Sequence, residues 1–340
     1  MQVHVSIKDL CIWQFYNGNG FYMNEAARKI LSRLSTGGIE LENSRKFADL
    51  KAIDPLKIFR HTVDYKIDNY GHEIPTRIYY PSFRAMENDG QGLGALLFFH
   101  GGGWVTESVE NYNKACARLA QTTNQLVISV DYRLAPEYPF PIGLEDCYTV
   151  AREVYRTGLA LGIEADKITL IGDSAGGNLV SAVSLLAKKR KDFAVKRQIL
   201  IYPVENNDYS ENSPYESVHT NGKGYLLTAK KMQDYVKMYI QKEDDINNPY
   251  FAPLLCEDVS GQPDTLVVTA EFDPLRDEGE AYAKKLEDAG NKVTIKRISG
   301  AMHGYFALGI TSRYLTETFQ AIKEFLGQNE GENDGKLENN

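Results

Sequence analysis

Two short stretches carry residue types suited to acyl-transfer chemistry. Gly172-Asp173-Ser174-Ala175-Gly176 is a G-x-S-x-G pentapeptide. It follows the apolar or β-branched run Ile168-Thr169-Leu170-Ile171 and precedes residues 179–186, whose apolar side chains recur at helical spacing. Strand, tight turn and helix in that order turn the pattern into a nucleophile elbow, with Ser174 at the tip of a strained turn and its hydroxyl pushed into a cleft. Taken alone, the pentapeptide would also suit a Gly/Ser turn with Ser174 capping the helix. The second stretch, His100-Gly101-Gly102-Gly103, is rarer in a chain with 6 His and 28 Gly. Three glycines leave backbone N–H groups able to approach an anion closely. A phosphate loop would need Lys and Ser/Thr after its glycines, and Trp104-Val105 do not supply them. An oxyanion hole is the better reading, with N–H groups from Gly102, Gly103 and Ala175 around a tetrahedral intermediate. Gly101 and His100 are read as supporting the loop.

A serine hydroxyl needs a base, and the base needs an orienting acid. His4 lies near a terminus, His61 and His72 in an early hairpin, and His219 in an irregular segment. His303 follows the last strand pattern, with Gly300 and Gly304 nearby to let a loop swing the imidazole inward. For the acid, Glu271, Asp273 and Asp277 compete. Asp277 would fall in the first helical turn, where a carboxylate has a structural role near the dipole. Asp273 leaves a strand and precedes Pro274, a helix-opening residue, and is favoured. The order Ser174, Asp273, His303 suits an α/β hydrolase.

The elements that must position these groups alternate along the chain. Strands are expected at 58–67 and 73–80, joined by Asn69-Tyr70-Gly71 as a hairpin, then at 95–99, 126–130, 168–171, 198–202, 265–269 and 292–298. Helices are expected at 24–34, 109–121, 144–156, 179–186, 228–241, 276–289 and 314–326, with a polar loop at 86–94. This implies a mostly parallel sheet between helix layers, with active groups at the carboxyl edge of the strands. Residues 1–50 are read as not strand-like, and their aromatic patch (Ile12, Trp13, Phe15, Tyr16, Phe21, Tyr22) as simple packing or a lid. The stretch 204–245 is too long for a plain connection and is read as an insertion. The core is expected over 51–203 and 246–327, and 328–340 as a disordered acidic tail.

Composition narrows the function. Net charge is −8 in 340 residues, which argues against an electrostatic nucleic-acid partner. No run of 18 apolar residues exists, so no membrane span is expected. The first ten residues lack a basic head and an apolar stretch, so no secretory signal is expected. Cys11, Cys116, Cys147 and Cys256 are far apart and are read as free thiols in a reducing cytoplasm. No H-E-x-x-H occurs, so neither metal nor cofactor is implied.

The chain resembles the hormone-sensitive lipase-like family of α/β hydrolases, which includes many bacterial carboxylesterases. The resemblance rests on HGGGW at 100–104, DYRLAPE at 131–137, GDSAGGN at 172–178, DPLRDEG at 273–279 and HGYF at 303–306. It implies an α/β-hydrolase fold, Asp273 as the acid, and a helical cap from residues 1–50 and 204–245. It also implies that Arg133, Glu137 and Asp146 are buried pairing groups, and a homodimer by family analogy. The expected activity is hydrolysis of small-molecule short-chain esters (acetyl to about hexanoyl) through an acyl-enzyme. The competing expectations are an amide-directed hydrolase (deacetylase or arylformamidase) in the same site and a non-enzymatic, receptor-like binding module.

Overall fold

Leu96, Leu97, Phe98 and Phe99 are all fully buried, yet they serve two different cores. Successive side chains of a strand point to opposite faces, so Leu97 and Phe99 join one apolar cluster and Leu96 and Phe98 the other. A strand buried on both faces reads as an unbroken apolar run, as a parallel sheet covered on both sides requires. The structure is a computed structural model that describes residues 14–17, 20–23, 41–51, 61–69, 71–308 and 312–328.

The sheet contains β3 (Thr62–Asn69), β4 (His72–Tyr79), β5 (Ala95–Phe99), β6 (Leu126–Val130), β7 (Ile168–Asp173), β8 (Arg197–Ile201), β9 (Asp264–Phe272) and β10 (Val293–Met302). Their spatial order is β10-β9-β8-β7-β5-β6-β4-β3. β3 and β4 form an antiparallel hairpin and β4 runs antiparallel to β6, whereas all the other neighbours are parallel. One face is covered by α4 (Ile142–Thr157), α5 (Ala175–Arg190) and α8 (Arg276–Asp288), and the other by α3 (Asn113–Thr123) and α9 (Arg313–Phe325). In α9, Leu315, Thr318, Phe319 and Ile322 bury one stripe, and Ser312 caps its start by accepting from the Leu315 N–H at 3.2 Å. The α/β-hydrolase expectation therefore holds. Among the described residues, no helix is long and apolar enough to cross a membrane.

Some local readings need correction. Residues 1–50 are not free of strand: β1 (Gln14–Asn17) and β2 (Gly20–Met23) pair antiparallel. The β-prone aromatics pair across the two strands, Phe15 opposite Tyr22 and Tyr16 opposite Phe21, where the packing-patch reading has no strand. A helix, α1 (Leu41–Lys51), closes that segment. The polar loop at 86–94 begins inside α2 (Phe83–Glu87), whose N-cap Ser82 accepts from the Ala85 N–H at 3.1 Å. The helix expected at 24–34 and the tail expected at 328–340, apart from Gln328, lie outside the described residues; Gln328 donates its side-chain amide to Thr123 O at 2.8 Å. Between β8 and β9 the crossover carries α6 (Glu216–Thr220) and α7 (Ala229–Tyr239).

Glu137 departs from its expected place. Arg133 and the fully buried Asp146 do form a two-pronged pair, at 2.8 and 2.7 Å. Glu137 is instead exposed and pairs with Arg45 of α1 at 2.7 and 2.8 Å. Arg45 also donates to the carbonyls of Val105 and Ala135, which ties α1 to the loop after the glycine run.

Candidate active site

β7 runs into α5 through Ser174, whose backbone has φ 55° and ψ −122°. That conformation is costly for a residue with a side chain and persists only where the surroundings over-determine it. Here they do. The Ser174 N–H donates to Ile201 O at 2.9 Å, and its carbonyl accepts from the N–H groups of Asn178 and Val204. Gly176 is required by close approach, because a β-carbon there would stand 2.6 Å from the carbonyl carbon of Phe99. The helix can thus press against β5 and present the serine at the strand edge.

β10 ends at Met302, so His303 is the first residue past the strand. Its Nε2 lies 2.9 Å from Ser174 Oγ and its Nδ1 lies 2.7 Å from Asp273 Oδ2. A carboxylate can only accept, so the Nδ1 proton faces Asp273 and Nε2 is free to accept from the serine hydroxyl. Asp273 is fully buried, and its other oxygen accepts from the Leu275 N–H at 2.9 Å. The competing carboxylates are engaged elsewhere. Glu271 accepts from the Gly300 N–H at 2.6 Å, bracing the loop that carries His303, and Asp277 accepts from the Ser217 N–H at 2.7 Å. The structure thus brings Ser174, His303 and Asp273 into one hydrogen-bonded relay.

The glycine run lies at the end of β5, the strand beside β7. Gly101 donates its N–H to Asp173 Oδ1 at 2.9 Å, so that amide is already used. The carbonyl of Gly102 accepts from the N–H groups of Val105 and Thr106 and from the Thr106 hydroxyl. In a trans peptide the N–H points opposite to the carbonyl, so the Gly103 N–H faces away from this turn. The Ala175 N–H opens α5, where no intrahelical acceptor exists for it and the helix dipole favours negative charge. His100 is buried, stacks on Tyr132 at 4.3 Å between ring centres, and donates from Nδ1 to Gly101 O at 2.8 Å. Burial lowers its pKa below the usual imidazole range, as suits a neutral ring bracing a loop.

Three residues beneath the site carry no motif that assigns them a role. Asp173 is buried and accepts from Tyr112 Oη at 2.9 Å and Tyr202 Oη at 3.1 Å as well as from Gly101. Burial raises its pKa to about 6, against the pull of those donors. Tyr202 also packs its ring against His303, 4.7 Å between centres, and accepts from the Phe306 N–H. One buried carboxylate therefore braces both the glycine loop and the histidine loop. The signal was a charged residue inside an otherwise apolar strand end; its tyrosine partners lie 61 and 29 positions away in sequence. Helix α7 closes over the glycine loop, with Tyr239 stacked on Trp104 at 4.5 Å and Tyr235 covering Gly103.

A family model described as "alpha/beta hydrolase fold" matches residues 96–307. The chain is 41% identical to an arylesterase of Saccharolobus solfataricus over 77% of its own length and 82% of the relative's. It is 36% identical to an ethyl acetate hydrolase of Pseudomonas putida, over 76% and 79% of the two chains. Among solved structures it is similar to the hyperthermophilic esterase of the archaeon Pyrobaculum calidifontis. The TM-score is 0.77 and the identity 35%, covering 89% of this chain and 97% of that one.

Proposed function

We propose how this chain, which belongs to the α/β-hydrolase fold family and is a carboxylic ester hydrolase of short-chain esters, performs its reaction. Ser174 is the nucleophile, His303 the general base and then acid, and Asp273 the group that orients the imidazole. The observation that carries these assignments is the continuous relay of 2.9 and 2.7 Å through the two ring nitrogens of His303. Ser174 Oγ attacks the acyl carbon as His303 Nε2 takes its proton, and Asp273 stabilises the imidazolium. The amides of Gly102, Gly103 and Ala175 hold the oxyanion, where each donor is worth on the order of 10²- to 10³-fold in turnover. The alcohol leaves with the proton from His303, and a water activated by the same nitrogen releases the acid.

Residues 1–50 together with 204–245 act as the cap over this site. The contacts of α7 with Trp104 and Gly103 support that reading. Acyl chains from acetyl to about hexanoyl are the substrates, as ethyl acetate hydrolysis by the Pseudomonas putida relative suggests. The reducing cytoplasm suits Cys116, Cys147 and Cys256, which are free thiols. The edge strand β10, exposed over residues 294–297, is where a homodimer would form.

Fluorophosphonate labelling tests the nucleophile. The wild-type chain should be modified at Ser174 and Ser174→Ala should not. A p-nitrophenyl ester series tests the acyl range, and faster turnover of C12 to C16 esters than of C2 to C6 would overturn it.

A further inference from the structure

The turn that carries Asp273 is held from outside the core. β9 ends at Phe272, and the chain passes through Asp273-Pro274-Leu275 into α8. Pro274 has no N–H, so the turn lacks one of the amides with which it could brace itself. Its internal bonds are those from the Leu275 N–H to Asp273 Oδ1 and from the Arg276 N–H to Asp273 O.

The Arg276 guanidinium also donates to Glu271 O at 3.1 Å, and further support comes from the crossover insertion, 50 to 60 positions away in sequence. Asn221, at the end of α6, donates its side-chain amide to the carbonyls of both Glu271 and Asp273, at 3.3 Å each. Ser217 Oγ donates to Pro274 O at 2.8 Å and accepts from the Asp277 N–H at 3.2 Å. The Ser217 N–H donates to Asp277 Oδ2 at 2.7 Å. Asn221 and Ser217 are both buried. The same segment stacks Tyr225 on Phe272, 5.7 Å between parallel rings, and sets Leu226 over Gly304, next to His303. Every residue from Glu271 to Pro274 is thus touched by residues 217–225.

We propose that Asn221 is a positioning residue for the catalytic acid, with Ser217 as its second anchor, so that the insertion aims His303 as well as covering the site. The inference rests on the reading of Asp273 as the orienting acid. Asn221 touches neither substrate nor the reacting atoms. It acts through the Asp273 backbone, because a displaced carboxylate no longer holds the imidazole in line with Ser174. Misplacement of a catalytic group by about 1 Å can cost on the order of 10²-fold in rate.

The test is a double-mutant cycle on a short-chain p-nitrophenyl ester, with kcat, KM and thermal midpoint measured for Asn221→Ala, Asn221→Asp, Asp273→Asn and the Asn221→Ala/Asp273→Asn pair. Asn221→Ala should lower kcat about 10-fold with KM within about twofold. Asn221→Asp should be slower still, because a carboxylate would face two carbonyl oxygens. Adding Asn221→Ala to Asp273→Asn should cost nothing further in kcat, since the group it positions is already gone. A wild-type kcat in Asn221→Ala, or losses that multiply in the pair, would overturn the inference and leave Asp273 in its role. A wild-type kcat in Asp273→Asn would instead overturn the premise. Should Asn221→Ala not fold, Ser217→Ala carries the same cycle, with a kcat loss that vanishes beside Asp273→Asn expected and independent losses overturning it.

Discussion

The ring of Tyr235 lies over Gly103 with no room between them: a β-carbon at position 103 would stand 2.5 and 2.7 Å from its two Cδ atoms. Gly103 also has φ +62°, which a larger residue adopts reluctantly. Both penalties fall on an amide assigned to the oxyanion. Gly103→Ala should therefore lower kcat on the order of 10²- to 10³-fold. Adding Tyr235→Ala should recover only part of that loss, because it relieves the clash and leaves the backbone conformation unfavourable. Steady-state kinetics of the single and double variants check this, and full recovery in the double variant would show that the clash alone matters.

Ser174 trades stability for its position. A non-glycine residue at φ 55° and ψ −122° carries strain that glycine would not feel. Ser174→Gly should be more stable than Ser174→Ala by about 1 kcal/mol, read from denaturant melts. Both should lose on the order of 10⁴-fold or more in kcat. Equal midpoints for the two variants would argue that the elbow is relaxed.

The buried carboxyl pair Glu205 and Glu278 links stability to alkaline pH. Burial raises Glu278 to about 8 and carries Glu205 well above its ordinary range. The folded chain thus holds a proton at Glu278 that the unfolded chain has released above the ordinary range near 4.5. That contribution is complete below the unfolded pKa and is lost as pH rises through about 8. Between pH 7 and pH 9, stability should fall by about 1 kcal/mol from this residue. In Glu278→Gln, whose oxygen can still accept from Glu205 N, Asn206 N and Tyr209 Oη, that part of the slope should vanish. Denaturant melts at the two pH values read it directly; an unchanged slope in the variant would assign the linkage elsewhere.

Legibility from sequence follows the range of the interaction. β5, β6 and β7 announce themselves because burial on both faces demands an unbroken apolar run. Ser174, Asp273 and His303 each stand in a short motif at a strand's carboxyl edge, so local chemistry alone could single them out. Glu137 pairs with Arg45, 92 positions away, too far for any local motif to announce. Tyr112, Tyr202, Ser217 and Asn221 are ordinary residues in sequence. Their roles exist only once strands β7 and β9 and the insertion have been brought together. The N-terminal hairpin is hard to read for another reason: aromatic residues suit a lid and a strand equally well until pairing sets Phe15 opposite Tyr22 and Tyr16 opposite Phe21.

The closeness of Gly176 to Phe99 bears on how this scaffold can diversify. A library of variants across the elbow would return mostly dead clones, since backbone meets backbone there and no neighbouring substitution can make space. The stretch from Ser217 to Tyr239 offers side-chain contacts instead, which compensating changes can rebuild. New substrate ranges should therefore arise by drift in the insertion, under selection that keeps its grip on the Asp273 turn.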